Sequence, residues 1–183
     1  LMALAIVLML CSGVVMRYVP LEQALQFQLY QWHKSGGVLV LLALLLRLLL
    51  RLITVIPPLP EHMPASERRA ATIGHWALHG IVAVIVLCGW LMVSSSIYGL
   101  PTQVFAWFEW PHIPGIQGRD DIERWSTRLH FWAALVLIVL LLVHIAAVIK
   151  HRIHDHTNLL LRLWWPSLSL LWAWPAALSL VLV

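Results

Sequence analysis

The feature that most constrains this chain is the stretch from Leu129 to His154, because two histidines, His130 and His144, stand inside its one long apolar run. They are fourteen residues apart, which places both imidazoles on nearly the same helical face and separates them by about 21 Å along the helix axis. The stretch is long enough to cross the apolar part of a bilayer. We therefore expect a membrane-spanning helix with one histidine near each end. A pair of interfacial histidines that bind nothing is the alternative.

The composition identifies the class of protein. Of the 183 residues, 61% are hydrophobic and only 11% are charged, which leaves too little polar surface to cover a soluble domain. The net charge of +4 is modest, and the basic residues stand in short clusters beside apolar runs. This distribution is typical of membrane orientation and argues against nucleic acid as a partner. The partner that the composition predicts is the lipid bilayer.

The apolar runs predict an all-α membrane protein, a four-helix transmembrane bundle with helices at about 1–17, 33–56, 74–97 and 129–151. The first run has only about sixteen residues where a spanning helix needs about twenty, and no methionine opens it, so we expect this helix to be incomplete. The four helices form one predicted domain, residues 1–158. The connection 98–128 could carry a short surface helix. The apolar tail 159–183 is either an interfacial segment or a fifth span.

A third histidine, His33, opens the second helix. The Lys and Arg residues near the helix ends place this start on the same side of the membrane as His130, so the two imidazoles can face each other as the two ligands of one haem b. Arg47 is fourteen residues after His33 and lies on the same helical face. Arg47 and Arg51 could therefore meet the carboxylates of a second haem near His144. Snorkelling of both arginines to the interface is the alternative.

Five motifs occur in order along the chain. HKSGG opens the second helix and RLLLRL closes it, GHWAL opens the third helix, LHFW opens the fourth, and two histidines with six residues between them close it. In these motifs, residues 1–162 resemble the bacterial cytochrome b561 family, whose members are four-helix dihaem b cytochromes that exchange electrons with quinone. The resemblance implies a multi-pass protein of the bacterial inner membrane.

The resemblance also implies the metal ligands. His33 and His130 would bind the iron of an outer haem b, and His144 would bind the iron of an inner one, together with a histidine at the start of the first helix. That histidine is absent from the sequence, so we expect the inner site to be incomplete. His75 matches a further histidine of the family. It could bind the iron, donate to a haem propionate or lie at the interface, and we favour a role beside the haem without a bond to iron.

One branch of the family oxidises superoxide and reduces ubiquinone. The resemblance therefore implies a quinone-linked electron carrier, with superoxide oxidation as its sharper form. Lys34 and Arg128 are candidates for attracting an anionic donor. His151 is a candidate proton donor to quinone, with a solvated basic cluster as the alternative. Two further functions remain open: a cytochrome b anchor subunit that serves a separate redox protein, as in a hydrogenase- or reductase-type complex, and a histidine-lined cation transporter.

Overall fold

The computed structural model describes residues 2–54 and 64–154, so the predicted tail 159–183 lies outside the described residues. The elements, in chain order, are α1 Met2–Tyr18, α2 Gln23–Ile53, α3 Ala65–Ser95, β1 Thr102–Val104, β2 Phe108–Trp110 and α4 Asp120–His154. The chain divides into two compact units, residues 1–138 and 139–183. The first unit contains α1 to α3, the two strands and the first half of α4. The second is described only over the remainder of α4.

The described helices confirm an all-α membrane bundle of four helices. Within the described ranges, three helices are long and apolar enough to cross a membrane, namely Gln23–Ile53, Ala65–Ser95 and Asp120–His151. The helix α1 is apolar but shorter. Both α2 and α3 have 31 residues, which is about 46 Å of helix, whereas the hydrocarbon core is about 30 Å thick. Each therefore extends beyond the apolar layer with polar turns.

Those polar turns explain where the expected helix bounds differ from the structure. The stretch 23–32, expected to be a connection, forms the first turns of α2, since it follows Pro20 and consists of helix-forming Gln, Ala and Leu with aromatic residues and no further Pro or Gly. The helix α3 begins at Ala65 rather than near residue 74. The helix α4 begins at Asp120 rather than near residue 129, because acidic residues in its first turn complement the helix dipole.

The long connection between α3 and α4 contains an antiparallel hairpin, and the expectation of a short surface helix there is wrong. Thr102 pairs with Trp110 and Val104 with Phe108. The turn between the strands is built on two residues with positive φ, Phe105 at 46° and Ala106 at 60°. Turns of this kind usually carry Asn or Gly. Because neither residue type is present, the hairpin had no sequence signal.

The first unit is apolar in its centre and polar near the hairpin. Its buried apolar side chains include Val38, Leu41, Leu44, Val82 and Leu137, whereas its buried polar residues are Lys34, Ser35, Ser94, Ser95, Thr102 and Ser126. The helix α1 packs closely on α2, where a Cβ added to Gly36 would lie 2.6 Å from Sδ of Met9. We call the end of this unit that carries the hairpin, the last turn of α1 and the first turns of α2 and α4 the hairpin end.

Candidate functional site

The fold brings two of the three predicted metal ligands together. His33 on α2 and His130 on α4 are both partly buried in the first unit, and the centres of their imidazole rings are 6.3 Å apart. The ring planes are inclined at 67° to each other. This is the pairing that the sequence predicted for one haem.

Each imidazole of the pair is held by its Nδ1 atom. Nδ1 of His33 lies 2.8 Å from Oγ of Ser12, whose own hydrogen is donated to the carbonyl of Met9. The serine oxygen can therefore accept from Nδ1 of His33. Nδ1 of His130 lies 2.8 Å from the carbonyl oxygen of Ile85, which can only accept. With the hydrogen of each neutral ring on Nδ1, both Nε2 atoms keep a lone pair for a metal.

A cavity of about 480 Å³ adjoins both imidazoles. That volume lies within the ordinary range for sites that bind small molecules and cofactors. Two glycines keep space beside the rings, because a Cβ on Gly13 would lie 3.6 Å from Cε1 of His33 and a Cβ on Gly89 would lie 3.4 Å from Nδ1 of His130. Larger side chains at these places would reach the rings. The lining is apolar apart from the two imidazoles and a set of polar side chains at the hairpin end.

These dimensions fit a haem. An imidazole nitrogen lies about 2 Å from a bound transition metal and about 1.1 Å from the centre of its own ring, so two imidazoles on opposite sides of one metal have ring centres about 6 Å apart. His33 and His130 match that separation at 6.3 Å. Within the described ranges there is no group of three or more His, Cys, Asp or Glu side chains that could hold a metal ion by themselves. A macrocycle that supplies the remaining ligands accounts for a site with two protein ligands.

The hairpin is fixed to α2 directly after His33. Nζ of Lys34 donates to the carbonyl of Pro101 at 2.8 Å, and Oγ of Ser35 lies 2.8 Å from the carbonyl of Gln103 and accepts from the backbone N–H of Phe105. Thr102 and Trp110 of the strands line the cavity. The two residues that follow His33 thus hold the hairpin over one end of the cavity.

Lys34 is buried beside the hairpin. Its side chain is only 8% exposed. Its ammonium group donates to the carbonyl of Pro101 and lies 5.4 Å from the centre of the Tyr30 ring. This ammonium group, a candidate for attracting an anionic donor, is thus bonded to the loop, and its role toward an anion stays a prediction. Arg128 is exposed and lines the cavity, so the structure leaves it accessible to an anion.

Arg47, Arg51 and His75, which were predicted to lie beside a second haem, do not line the cavity. Arg47 is exposed and its guanidinium lies 3.9 Å from Sδ of Met2. The guanidinium of Arg51 lies 4.9 Å from the centre of the Trp76 ring, beside His75 in the sequence. His75 is exposed, and its backbone carbonyl is bonded by His79. The roles of Arg47, Arg51 and His75 stay predictions.

His144 and His151 belong to the second unit. Both lie on α4 beyond Ile138 and therefore outside the unit that contains the cavity. The pairing of His144 with a second haem and the proton delivery by His151 stay predictions.

Four features of the site had not been assigned from the sequence: the Ser12 hydroxyl, the Ile85 carbonyl, the space at Gly89 and the cation Arg17. Ser12 had a visible signal, since it is one of the few polar residues in α1 and precedes Gly13. A backbone carbonyl has none. Arg119, another cation of this region, is paired with Asp121 at 2.7 Å, and this hydrogen bond raises the pKa of Arg119 above its ordinary value.

The sequence matches a family model described as prokaryotic cytochrome b561 over residues 1–166, a range that includes every described element. A relative in Escherichia coli (strain K12), cytochrome b561 homolog 2, is 35% identical over 132 residues, which cover 72% of this chain and 68% of that protein.

Proposed function

This chain belongs to the prokaryotic cytochrome b561 family, and from that premise we propose that it transfers single electrons between haem b, held by His33 and His130, and quinone in the membrane. The family identifies a membrane b-type cytochrome of electron transfer and favours it over the cation transporter. That His33 and His130 are the haem ligands, and that quinone is the redox partner, is what we propose beyond the family.

The observation that carries the proposal is the separation of 6.3 Å between the His33 and His130 rings, with both Nδ1 atoms engaged elsewhere. A haem iron with two imidazole ligands has no open position for oxygen and transfers one electron at a time.

The chain contributes orientation and a dry environment. Ser12 and the Ile85 carbonyl hold the two rings in the tautomer that leaves Nε2 available. The apolar lining excludes water from the site, and the hairpin covers one end of the cavity by its contacts with Lys34 and Ser35. A haem held there by His33 and His130 would supply single-electron transfer, and the apolar lining would keep water away from it.

The proposal extends to the acceptor and the donor. Ubiquinone takes up two electrons and two protons, so two successive single-electron transfers and a proton source are needed. We include a second haem b at His144 and proton delivery by His151, whose pKa range as a histidine suits that step. Superoxide is the proposed donor because it gives up one electron at a time. The proposed location is the inner membrane.

The test is a reduced-minus-oxidised spectrum of the purified full chain with its haem content, followed by turnover. We expect a low-spin b-type spectrum, haem reduction by a quinol, and ubiquinone reduction when superoxide is supplied. A chain that binds haem but turns over only when a large redox protein co-purifies would support the anchor-subunit function instead. A chain without low-spin haem would contradict the proposal.

A further inference from the structure

The cavity beside His33 and His130 is polar at one end only. Every acidic or basic side chain that lines it, apart from the two imidazoles, is a cation: Arg17, Lys34 and Arg128. Among the described residues, no Asp or Glu lines it. All three cations lie at the hairpin end, on the last turn of α1 and the first turns of α2 and α4.

Lys34 is already engaged by Pro101, which leaves the two arginines. Arg17 lies five residues after Ser12, and its guanidinium is 5.8 Å from the centre of the Phe131 ring, next to His130. Arg128 precedes His130 by two residues and lies at the edge of the cavity, where it also borders a small surface depression lined by Asp121, Arg124 and Trp125. Within the described ranges, neither guanidinium has a carboxylate within salt-bridge distance. Arg119, by contrast, is paired with Asp121.

The opposite part of the cavity is apolar, with a lining that includes Ile6, Leu10, Leu41, Val82, Leu137 and Ile138. Placing a carboxylate there without a partner would cost several kcal/mol. A flat ligand with apolar edges and one edge that carries carboxylates can therefore enter in one direction only. Its carboxylates must face the hairpin end.

We infer that Arg17 and Arg128 bind the two propionate carboxylates of the haem held by His33 and His130. The inference rests on the proposed function, since it requires that haem. A guanidinium presents paired N–H donors that match a carboxylate, and two arginines are available for two carboxylates. This arrangement fixes which edge of the macrocycle faces the hairpin. Arg128 then binds a carboxylate within the site and not an anionic donor that arrives from solution.

The same two cations would also suit a small anion that arrives from solution, so the experiment separates the two sources. The full-length protein, freed of haem, is loaded in competition with haem b and with its dimethyl ester, whose propionates carry no charge. The preference for haem b over the ester reports the interaction with the carboxylates. The variants are Arg17→Gln, Arg128→Gln and both together, with Arg124→Gln as the matched control, since Arg124 is exposed on the same helix but does not line the cavity.

We expect the wild type to prefer haem b. Each single variant should reduce that preference by roughly three- to tenfold, because it loses one partly exposed charge-assisted contact. The double variant should bind both porphyrins almost equally, and Arg124→Gln should keep the wild-type preference. The low-spin spectrum should persist in every variant, because His33 and His130 are unchanged. If the double variant binds neither porphyrin, the preference for haem b over the ester is compared between the wild type and the two single variants instead.

A double variant with the wild-type preference would overturn the inference, and so would an equal loss in Arg124→Gln, which would indicate a general field of positive charge. Wild-type protein that binds the ester as tightly as haem b would also overturn it while leaving the proposed function intact. Wild-type protein that binds neither with a low-spin spectrum would overturn the proposed function itself.

Discussion

Oγ of Ser12 lies 2.8 Å from Nδ1 of His33 and joins the shortest helix of the bundle to one of the two imidazoles beside the cavity. Because the serine hydrogen is donated to the carbonyl of Met9, the serine oxygen accepts from the imidazole. A hydrogen bond at Nδ1 makes the ring a stronger electron donor to a metal on Nε2. We therefore expect Ser12 to position His33 and to tune the potential of a haem bound there.

Replacing this serine should change the haem potential without removing the haem. In Ser12→Ala the Nδ1–H of His33 loses its acceptor, which weakens the ligand and favours the reduced iron. A hydrogen bond of about 0.5–1.5 kcal/mol corresponds to a rise of about 20–60 mV for one electron. A potentiometric titration measures it. Ser126→Ala is the control, since that buried hydroxyl bonds only to carbonyls of its own helix. An unchanged or lower potential in Ser12→Ala would count against the role.

The contact between Ser35 and the hairpin should be detectable by hydrogen exchange. Ser35→Ala removes the partner of the Gln103 carbonyl and of the Phe105 N–H, and an unsatisfied buried group costs about 1–3 kcal/mol. We expect amides of the 102–110 hairpin to exchange about 5- to 150-fold faster. Ser95→Ala is the control, because its buried hydroxyl bonds only to carbonyls of its own helix. Equal exchange in the two variants would show that Ser35 does not hold the hairpin.

The space beside His130 should be needed for haem binding. A Cβ at Gly89 would already lie 3.4 Å from Nδ1 and Cε1 of His130, so the branched side chain of Gly89→Val would displace the ring. Overpacking of this kind costs about 1–3 kcal/mol, which corresponds to about 5- to 150-fold weaker haem binding. The matched control is Gly80→Val on the same helix, where an added Cβ has no neighbour within 4 Å. Equal haem affinity in the two variants would mean that Gly89 does not define the site.

The bundle and the paired histidines could be predicted from the sequence because both depend on the lengths of the apolar runs and on the residues that open them. Apolar runs of membrane length predict spans, and the positions of His33 and His130 at the starts of two helices predict that they meet. The true start of α2 could not be predicted from hydropathy, because its first turns, residues 23–32, are largely polar and lie before the apolar run. Helix propensity carries the only signal there.

The contacts that complete the site depend on tertiary structure. The Ile85 carbonyl bonds His130 only because α3 and α4 are adjacent, and any residue at position 85 would offer the same atom. The hairpin turn at Phe105 and Ala106 is held in a left-handed conformation by surrounding contacts, among them the bond from Phe105 N–H to Ser35. Neither feature has a local pattern that could be recognised beforehand.

The most direct test of the whole account compares the haem content of His33→Ala and His130→Ala in the purified full chain. If the two imidazoles share one iron, each variant should lose the same low-spin haem, the double variant should lose no more than either single variant, and added imidazole should restore the low-spin spectrum. His112→Gln, in the connection between α3 and α4, should keep the wild-type haem content, because His112 does not line the cavity. Reduced-minus-oxidised spectra at low temperature can identify which haem is lost. The loss of different haems in the two variants, or full retention of low-spin haem in either one, would contradict the pairing of His33 with His130.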